Sequence, residues 1–421
     1  MKKKILVRGP LLTRSGYGEH TRLVLRSLKE YQDRFDIYAL AVTWGGTNWL
    51  FDDNEERDWF DEILRKTIIY TNEGGQFDIS VQVTIPNEWE RMAPVNVGVT
   101  AGIETNRVAP AWIEKSKIMD KIIVPSEHSK NVYEQTTYDA QNPETNEIIK
   151  DFRCTTPIDV IHYPVRDAKQ QKLKLDLEFD FNFLTVAQWG PRKNLDNLIT
   201  WFVEEFIDIE AGLVIKASLT KNNNLDRLHC ERRVSDLLAK YPERKCKVYL
   251  LHGNMSDEEM LGLYKHPKIK AIATTTHGEG FGLPLFEAAH SGLPVIAPDW
   301  SGHVDFLYKT TKDKKDKEKK KSHFAKVEFT MQPIQEEAVW EGVLEKGTLW
   351  CYPEQGSFKM RLREVFKDHG RFKKQAKALQ SWIKEEFTEK KAYKKMADAI
   401  YEEEEFEVTE WLNNLEVQVN D

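Results

Sequence analysis

The chain has 421 residues, of which 40% are hydrophobic and 31% are charged, and it carries a formal net charge of −7 at pH 7. A chain of this length suits two domains with a cleft between them, and its apolar content predicts a globular, soluble protein rather than a disordered one. The negative net charge excludes a general electrostatic attraction to nucleic acid or to anionic lipid. The four cysteines lie far apart with no C-x-x-C pair, which argues against a disulfide framework and a structural zinc site.

The chain begins with a basic segment like that of a signal peptide, but Arg8 and Pro10 interrupt the apolar run that such a peptide needs. No other apolar stretch approaches the roughly 18 residues that are needed to span a bilayer. We therefore expect a cytoplasmic protein with no integral membrane association.

Short apolar runs alternate with amphipathic segments through the first part of the chain. Strands are predicted at residues 5–7, 35–42, 79–83, 95–99 and 121–124, and helices at 19–28 and 127–135. This alternation is typical of a parallel sheet with helices on both faces. Lys- and Gln-rich sequence up to about residue 178 breaks the pattern, so the domain boundary is predicted there, with a first domain at 1–167 and a second at 168–387.

The alternation resumes after this boundary. Strands are predicted at 181–186, 213–217, 248–251, 270–273 and 294–297, and helices at 194–206, 225–240, 257–264 and 284–291. From residue 358 onwards the pattern is almost wholly helical, with Gly370 as the clear stop. The sequence therefore predicts an α/β protein of two doubly wound, Rossmann-like domains.

Two charged segments stand out near the end of the chain. Residues 309–321 hold eight lysines against three acidic residues, and residues 401–410 hold six glutamates. The lysine-rich segment is interpreted as a solvated surface loop or, alternatively, as an electrostatic arm for a polyanionic acceptor. The acidic run is interpreted as an exposed helix face.

The segment 277–298 combines a strand end, a glycine-bearing loop and a helix start. Pro284 suits the first turn of the helix, which is expected to end before Gly292. Small residues let backbone N–H groups approach a ligand, and the helix N-terminus adds a positive dipole, a combination that suits a diphosphate. Glu279 and Glu287 bracket this phosphate site, and their carboxylates can bind hydroxyls of a sugar on one side and of a ribose on the other.

With Gly-Phe-Gly-Leu-Pro between the two glutamates and Gly-Leu-Pro-Val-Ile-Ala after them, this segment resembles the retaining glycosyltransferases of family 4, whose mark is an E-x7-E arrangement. The resemblance implies the GT-B fold, in which two Rossmann-like domains face each other across a donor cleft and a C-terminal helix, here 388–421, returns to the first domain. It also implies a nucleotide-diphosphate sugar as the donor, with UDP-sugars favoured. The donor-binding residues that it implies in this segment are Glu287, Gly280, Phe281, Gly282 and Leu283.

Residues 186–199 resemble the first strand and loop of the family's donor domain, where an arginine and a lysine hold the diphosphate. Lys193 matches the lysine, whereas the family's arginine falls nearer Gln188, so Arg192 is the candidate to replace it. The alternative is an ordinary charged helix start, but cations at a helix N-terminus are unfavourable and need a reason. We assign Glu279, Lys193 and Arg192 to catalysis, with the glutamate orienting the sugar.

Residues 251–264 resemble the family's strand-to-helix turn that borders the nucleotide base. The resemblance assigns Gly253 and Asn254 to donor binding, mainly through their backbone.

The first domain offers fewer specific residues. Gly16 and Gly18 lie between a strand and a helix, and in the family this loop faces the donor phosphates, although a lone G-x-G is a weak signal. Residues 99–112 resemble a segment in which many family members place a histidine near the sugar. Glu104 is the nearest polar residue here, and together with Tyr17 it is assigned to the acceptor or sugar side.

The chief catalytic task is to stabilise the negative charge that grows on the leaving diphosphate. No metal-binding cluster is apparent in the sequence, so we expect neither a metal nor a cofactor to be required. The resemblance implies a hexosyl- or pentosyltransferase that retains the anomeric configuration by same-face attack. A phosphorylase of the same fold would need a pyridoxal-bearing lysine, for which no sequence context is seen. A non-catalytic sugar-nucleotide or nucleic-acid binding module is the alternative class, and Glu279, Glu287 and Lys193 argue against it.

Two kinds of acceptor are predicted as alternatives. Residues 8–20 also look like glycosyltransferases of tailed bacteriophages, some of which modify hydroxymethylcytosine in DNA. The acceptor is therefore predicted to be a glycan or lipid-linked hydroxyl or, alternatively, such DNA bound through the lysine-rich segment 309–321 after base flipping. If the protein is phage-encoded, its location is the host cytoplasm. Sugar identity and oligomeric state stay open.

Overall fold

Two parallel sheets organise the protein in a computed structural model that describes residues 2–51, 53–141, 148–166, 168–312 and 318–402. The centre of the lysine-rich segment and the acidic run from residue 403 onwards lie outside the described residues. Each sheet has six strands, all paired in parallel. This arrangement confirms the predicted α/β class and the two Rossmann-like domains.

The first sheet is built from apolar strands that the sequence predicts closely. The strands of this part of the chain are β1 (Lys3–Gly9), β2 (Phe35–Ala41), β3 (Ile79–Val83), β4 (Val95–Val99), β5 (Lys121–Val124), β6 (Tyr138–Gln141), β7 (Ile148–Phe152) and β8 (Ile158–Val160). The sheet order is β2-β1-β3-β4-β5-β8, and β6 pairs with β7 in a separate antiparallel hairpin. Strand order reverses between β1 and β3, and such a switch point opens a crevice at the carboxyl ends of the strands.

The helices of this domain are α1 (Gly16–Glu30), α2 (Glu55–Asn72), α3 (Pro110–Ser116) and α4 (Glu127–Gln135). Side-chain caps explain where several of them begin. The Ser15 hydroxyl accepts a hydrogen bond from the Gly18 amide at 2.9 Å, and the Asn54 side chain accepts one from the Arg57 amide at 2.9 Å. Each cap satisfies an amide that has no partner within its helix.

The second sheet has the same kind of parallel topology as the first. The strands of this part are β9 (Asn182–Gln188), β10 (Gly212–Ser218), β11 (Lys247–Leu251), β12 (Ile269–Ala273), β13 (Val295–Pro298), β14 (Tyr308–Lys312), β15 (Glu318–Ser322), β16 (Ala325–Val327), β17 (Phe329–Pro333) and β18 (Leu349–Pro353). The sheet order is β11-β10-β9-β12-β13-β16, with the reversal between β9 and β12. The pairs β14–β15 and β17–β18 form antiparallel hairpins outside this sheet.

The helices that follow are α5 (Leu195–Glu205), α6 (Asn224–Leu238), α7 (Asp257–Tyr264), α8 (Leu283–His290), α9 (Val304–Leu307), α10 (Gln355–Lys367), α11 (His369–Glu386) and α12 (Glu389–Ile400). Short 3-10 turns cover Pro86–Glu88, Pro191–Lys193 and Glu336–Ala338. Every strand and helix predicted before residue 388 has a counterpart here, with ends that differ by only a few residues. Of the predicted C-terminal helix 388–421, the described part is α12, which ends at Ile400.

Two local expectations need correction, and one further element was not predicted. The C-terminal helical run breaks at Asp368, and Gly370 lies inside α11 instead of ending a helix. The described ends of the lysine-rich segment form the hairpin β14–β15 and not an irregular loop. The hairpin β17–β18 has no sequence prediction, because each strand has only five residues and β18 is a mostly buried apolar run without alternation.

The two domains meet where their crossover segments run side by side. The Val165 amide donates to the Phe387 carbonyl at 2.7 Å, so the segment that leaves the first sheet touches the one that leaves α11. Helix α12 then packs on α1, and Arg34 pairs with Asp398 at 2.9 Å. No helix within the described part of the chain is long and apolar enough to cross a bilayer.

Candidate active site

A cleft of about 1160 Å³ lies between the carboxyl ends of the two sheets. Its second-domain wall consists of the turns that follow β9, β10, β11 and β12, together with the start of α8, and its first-domain wall consists of residues that follow β1 and β4. Both walls stand beside a switch point of their sheet, which is where open α/β sheets bind ligands.

The loop between β12 and α8 forms the centre of the second-domain wall. Gly282 is the N-cap of α8 with φ of +91°, a conformation that disfavours a residue with a side chain, and Pro284 follows in the first helical turn. Among the described residues, no acceptor bonds the backbone N–H groups of Gly280, Phe281, Gly282 or Leu283. Four open amides at a helix N-terminus are suited to an anion.

Glu279 lies at the base of this loop, and its side chain is only 10% exposed. Its Oε1 accepts a hydrogen bond from the Lys193 Nζ, and its Oε2 lies 3.2 Å from a nitrogen of Arg192. Burial opposes ionisation of the carboxyl, but the charges of Lys193 and Arg192 outweigh burial and lower the pKa of Glu279 to about 2. The carboxylate is therefore ionised at neutral pH, and its own amide donates to Ser301 Oγ at 2.9 Å.

Both predicted diphosphate cations are engaged with protein in this structure. Arg192 Nη1 also donates to the Gly278 carbonyl at 2.7 Å, and Arg192 Nη2 lies 3.5 Å from a Glu104 carboxylate oxygen. These acidic partners explain why cations stand just before helix α5. Gln188 bonds the Leu219 carbonyl at 2.7 Å, so Arg192 is the residue that brings a guanidinium to this site.

Glu287 faces the cleft from the second turn of α8, where its side chain is exposed to the cleft solvent. The Tyr264 hydroxyl donates to its Oε2 at 2.8 Å. Although this side chain meets cleft solvent, the protein around it removes part of its hydration. This desolvation, opposed by the hydrogen bond from Tyr264 and aided by the nearby charge of Asp257, raises the pKa of Glu287 to about 7. The two glutamates of the motif therefore differ in protonation near neutral pH.

The first-domain wall touches the loop closely. A Cβ built on Gly280 would lie 2.2 Å from the Ala101 carbonyl oxygen, and one built on Gly278 would lie 2.4 Å from the Glu104 carbonyl oxygen. Both positions therefore need glycine for the two walls to approach this far. Gly16 and Glu104 line the cleft from this side.

Two of the predicted residues do not reach the cleft. Tyr17 is buried, its hydroxyl is 2.7 Å from the Thr100 hydroxyl, and its ring packs on Trp44 with centroids 4.2 Å apart. Gly18 packs against the loop before α1, where a Cβ would lie 2.2 Å from the Thr13 carbonyl oxygen. Both residues shape the first domain, because the turn of α1 that carries them faces its core.

Gly253 and Asn254 follow β11 and line the other end of the cleft. Lys216 on β10 joins them there and was missed by the sequence predictions. Its Nζ donates to the Gly253 carbonyl at 2.5 Å. The signal that could have found it is a lysine close to the carboxyl end of an otherwise apolar strand, where a charge needs a reason.

The hairpin β17–β18 supports the loop from behind. His277 Nδ1 lies 2.6 Å from the Cys351 carbonyl oxygen, and the His277 ring stacks on Trp350 with centroids 5.0 Å apart. The same hairpin reaches the first domain, where the Leu349 amide donates to the Asn106 side chain at 2.7 Å. Neither contact follows from local sequence.

A group of potential metal ligands lies outside the cleft lining at Asp226, Cys230 and His252. The Asp226 carboxylate already accepts hydrogen bonds from the amides of Leu219, Thr220 and Lys221 and lies 2.8 Å from His252 Nε2. With its oxygens used in this way, the carboxylate anchors the loop after β10, and the cluster does not fit a metal centre.

No family model matches the chain. Part of it is 36% identical over 121 residues to the serotype-specific mannosyltransferase WbdA of Escherichia coli, an alignment that covers 28% of this chain and 13% of that protein. A second WbdA sequence from the same organism is 42% identical over 119 residues with the same coverage. The chain therefore corresponds to a small part of these curated relatives.

Several solved structures match along almost the whole chain. Sucrose-phosphate synthase from Thermosynechococcus elongatus has a TM-score of 0.59 at 11% identity, with 94% of this chain and 98% of that chain covered. Anabaena HepE in complex with UDP-glucose has a TM-score of 0.56 at 14% identity with the same coverage. The lipopolysaccharide outer core galactosyltransferase WaaB has 0.54 at 15% identity, with 95% and 99% covered. These likenesses establish the architecture, and the fold of this chain is of the GT-B type.

Proposed function

We propose that this protein is a glycosyltransferase that moves a sugar from a nucleotide-diphosphate donor, with UDP-sugars favoured, to a hydroxyl acceptor. The proposal rests on one observation: Glu279 contacts two cations, Lys193 and Arg192. These side chains lie beside four backbone amides at the start of α8 that have no acceptor within the described part of the chain. The local likeness to a mannosyltransferase supports the same activity. So does the likeness in fold to a structure that holds UDP-glucose.

The diphosphate of the donor would lie on the amides of residues 280–283, with Lys193 and Arg192 beside it. Negative charge grows on the diphosphate as the glycosidic bond breaks, and prearranged cations and amides stabilise it most in the transition state. In this structure Glu279 pairs with both cations, and Glu104 is a second acidic partner of Arg192. A bound diphosphate would take over part of that role and leave the carboxylate able to accept hydrogen bonds from the sugar hydroxyls.

We further propose that the reaction retains the anomeric configuration, as in the family 4 enzymes that segment 277–298 resembles. The acceptor hydroxyl would attack from the face that the diphosphate leaves, and a diphosphate oxygen would take its proton. Glu279 is not assigned as a nucleophile, because its hydrogen bond and ion pair direct its oxygens to Lys193 and Arg192. No metal or cofactor is assigned to this chemistry. Product analysis by NMR tests this step, and an inverted anomer would contradict it.

The donor experiment uses the full chain with UDP-glucose, UDP-galactose, UDP-N-acetylglucosamine and GDP-mannose. Release of the nucleoside diphosphate is expected with at least one donor and is expected to be lost in Glu279→Ala. Equal release by Glu279→Ala, or no release and no binding with any donor, would contradict the proposal. Donor binding without release of the nucleoside diphosphate in any acceptor mixture would instead favour a non-catalytic sugar-nucleotide binding module.

The acceptor is proposed to be a glycan or lipid-linked hydroxyl. No contact of the described residues favours DNA, so hydroxymethylcytosine DNA is only one arm of the acceptor panel, beside plain DNA and simple glycosides. Mass spectrometry of each arm identifies the glycosylated product. Transfer to glycosides alone would exclude the DNA acceptor and with it a role for the lysine-rich segment 309–321.

A further inference from the structure

Lys216 is a cation in the cleft that the proposed chemistry does not use. It lies on β10, where it pairs in register with Val186 of β9 and Leu251 of β11. It lines the cleft together with Gly253. Its strand lies on the side of β9 that is remote from β12 and the Glu279 loop. Its position is thus one strand further from the switch point than that of Lys193.

The surroundings of Lys216 differ from those of Lys193. Lys193 has the carboxylate of Glu279 as its partner. Among the described residues, no carboxylate lies within ion-pair distance of the Lys216 Nζ, whose hydrogen-bond partner is the neutral Gly253 carbonyl. Burial alone lowers the pKa of Lys216, with no neighbouring acid to oppose it.

A partly buried ammonium group without a countercharge is unfavourable for folding, because the protein does not replace the hydration that it removes. A methionine of similar length would fill the same space without that cost. A lysine in this place is therefore best explained by an anion that arrives with a ligand. The nucleotide of the donor is such a ligand, and this step rests on the function proposed above.

We propose that Lys216 is a donor-recognition residue whose Nζ binds an anionic oxygen of the nucleotide, at the phosphate that adjoins the nucleoside. Lys193, Arg192 and the loop amides would then serve the phosphate next to the transferred sugar. Separate cations for the two phosphates would let the protein hold the leaving nucleotide by one and stabilise the breaking bond by the others. Lys216 would act mainly on donor affinity.

The test compares Lys216→Met with wild type in the binding of UDP, UMP and uridine, measured by calorimetry and by ligand-induced thermal shift. A charge-assisted hydrogen bond of ordinary strength predicts that affinity for UDP and UMP falls by about 10-fold to 100-fold. Affinity for uridine, which has no phosphate, is expected to stay within about 2-fold, since the bond in question is absent there. The ligand-free Tm of Lys216→Met is expected to equal or exceed that of wild type.

Lys247→Met is the matched control, because Lys247 begins the neighbouring strand β11, at the end of the strand that is remote from the cleft. Its side chain forms an exposed ion pair with Glu178 at 3.2 Å. This variant is expected to bind all three ligands as wild type does. Unchanged affinity for UDP in Lys216→Met would overturn the inference. An equal fall in affinity for uridine would also overturn it, because the lysine would then contact the nucleoside. A wild-type protein that binds neither UDP nor GDP would instead overturn the proposed function itself.

Discussion

The two walls of the cleft are built from similar β-α turns but present different chemistry. The second-domain wall brings open amides and charged side chains such as Lys193 and Glu279 to the ends of its strands. The first-domain wall meets it with backbone carbonyls at Ala101 and Glu104 and with arginines that are paired with acids. One wall therefore holds the groups suited to a diphosphate, while the other shapes the space around them.

The arginines of the first domain show this contrast most clearly. Glu19 lies 3.0 Å from Arg22, 2.7 Å from Arg26 and 3.4 Å from Arg166. Burial opposes ionisation of Glu19, but these arginines outweigh it and lower its pKa to about 2. Arg26 also pairs with Glu56 at 2.5 Å. Arg166 also lies 3.3 Å from Asp257 of the second domain, so three carboxylates face these three arginines. They therefore do not form an anion site like that of the other wall.

The largest effect is expected from Glu279→Gln on the second-domain wall. Loss of the charge removes the group that orients the sugar, so transfer is expected to fall by about 100-fold. Affinity for UDP is expected to hold or rise, because Lys193 and Arg192 lose their internal competitor. Steady-state kinetics and calorimetry measure the two quantities, with exposed Glu337→Gln as control. If Glu279→Gln lost UDP affinity as well as transfer, the carboxylate would contribute to diphosphate binding, contrary to this expectation.

The contact between the walls is tested by Gly280→Ala. The added methyl would lie 2.2 Å from the Ala101 carbonyl oxygen, so the walls should be held apart. A displacement of about 1 Å at a reacting centre can reduce the rate by roughly 100-fold, and a fall of about 10-fold to 100-fold in kcat is expected. Gly370→Ala, where a Cβ meets open space in α11, is the control. Unchanged kcat in Gly280→Ala would mean that the two walls need not meet during the reaction.

A smaller effect is expected from Glu104→Gln on the first-domain wall. The Glu104–Arg192 pair is 3.5 Å long and its side chains are 25% and 30% exposed, so solvent screens it. Transfer is expected to fall by only a few-fold, on the order of 1 kcal/mol or less. A loss as large as that of Glu279→Gln, measured in the same kinetic assay, would place essential chemistry on both walls.

The smallest effect is a pH dependence that distinguishes the two glutamates. The pKa of Glu287 is raised from 4.5 to about 7, so the folded protein keeps a proton between these values that the unfolded chain loses. Its contribution to stability therefore falls as pH rises from 4.5 to 7, whereas that of Glu279, with a pKa of about 2, is lost as pH falls from 4.5 to 2.

Donor affinity should follow the ionisation of Glu287, because a carboxylate accepts hydrogen bonds from ribose hydroxyls better than a carboxyl group does. The donor KM is expected to decrease modestly from pH 6 to pH 8, and Glu287→Gln should flatten that profile. A profile that is identical in the variant would show that Glu287 does not contact the donor.

Local sequence was sufficient for the elements and for much of the second-domain wall. Gly282 and Pro284 mark a helix start whose geometry is local. The resemblances around segments 277–298 and 186–199 pointed to Glu279 and Lys193, whose side chains meet in the structure. Two first-domain residues that were predicted at the cleft, Tyr17 and Gly18, do not line it. They lie in a turn whose orientation depends on packing against Trp44 and Thr13. Sequence spacing does not encode that orientation.

The sequence by itself determined the two parallel sheets, the succession of strands and helices along the chain, and the glycine-bearing loop. The sheets and the succession follow from hydrophobic periodicity, and the loop follows from the backbone freedom of single residues. Only the tertiary structure decided which charges neutralise one another. Glu279 meets Lys193 across 86 positions of chain, while Lys216 meets no carboxylate among the described residues. Ion pairing depends on distances of a few ångström between residues remote in sequence, and those distances exist only once the strands of the second sheet are paired.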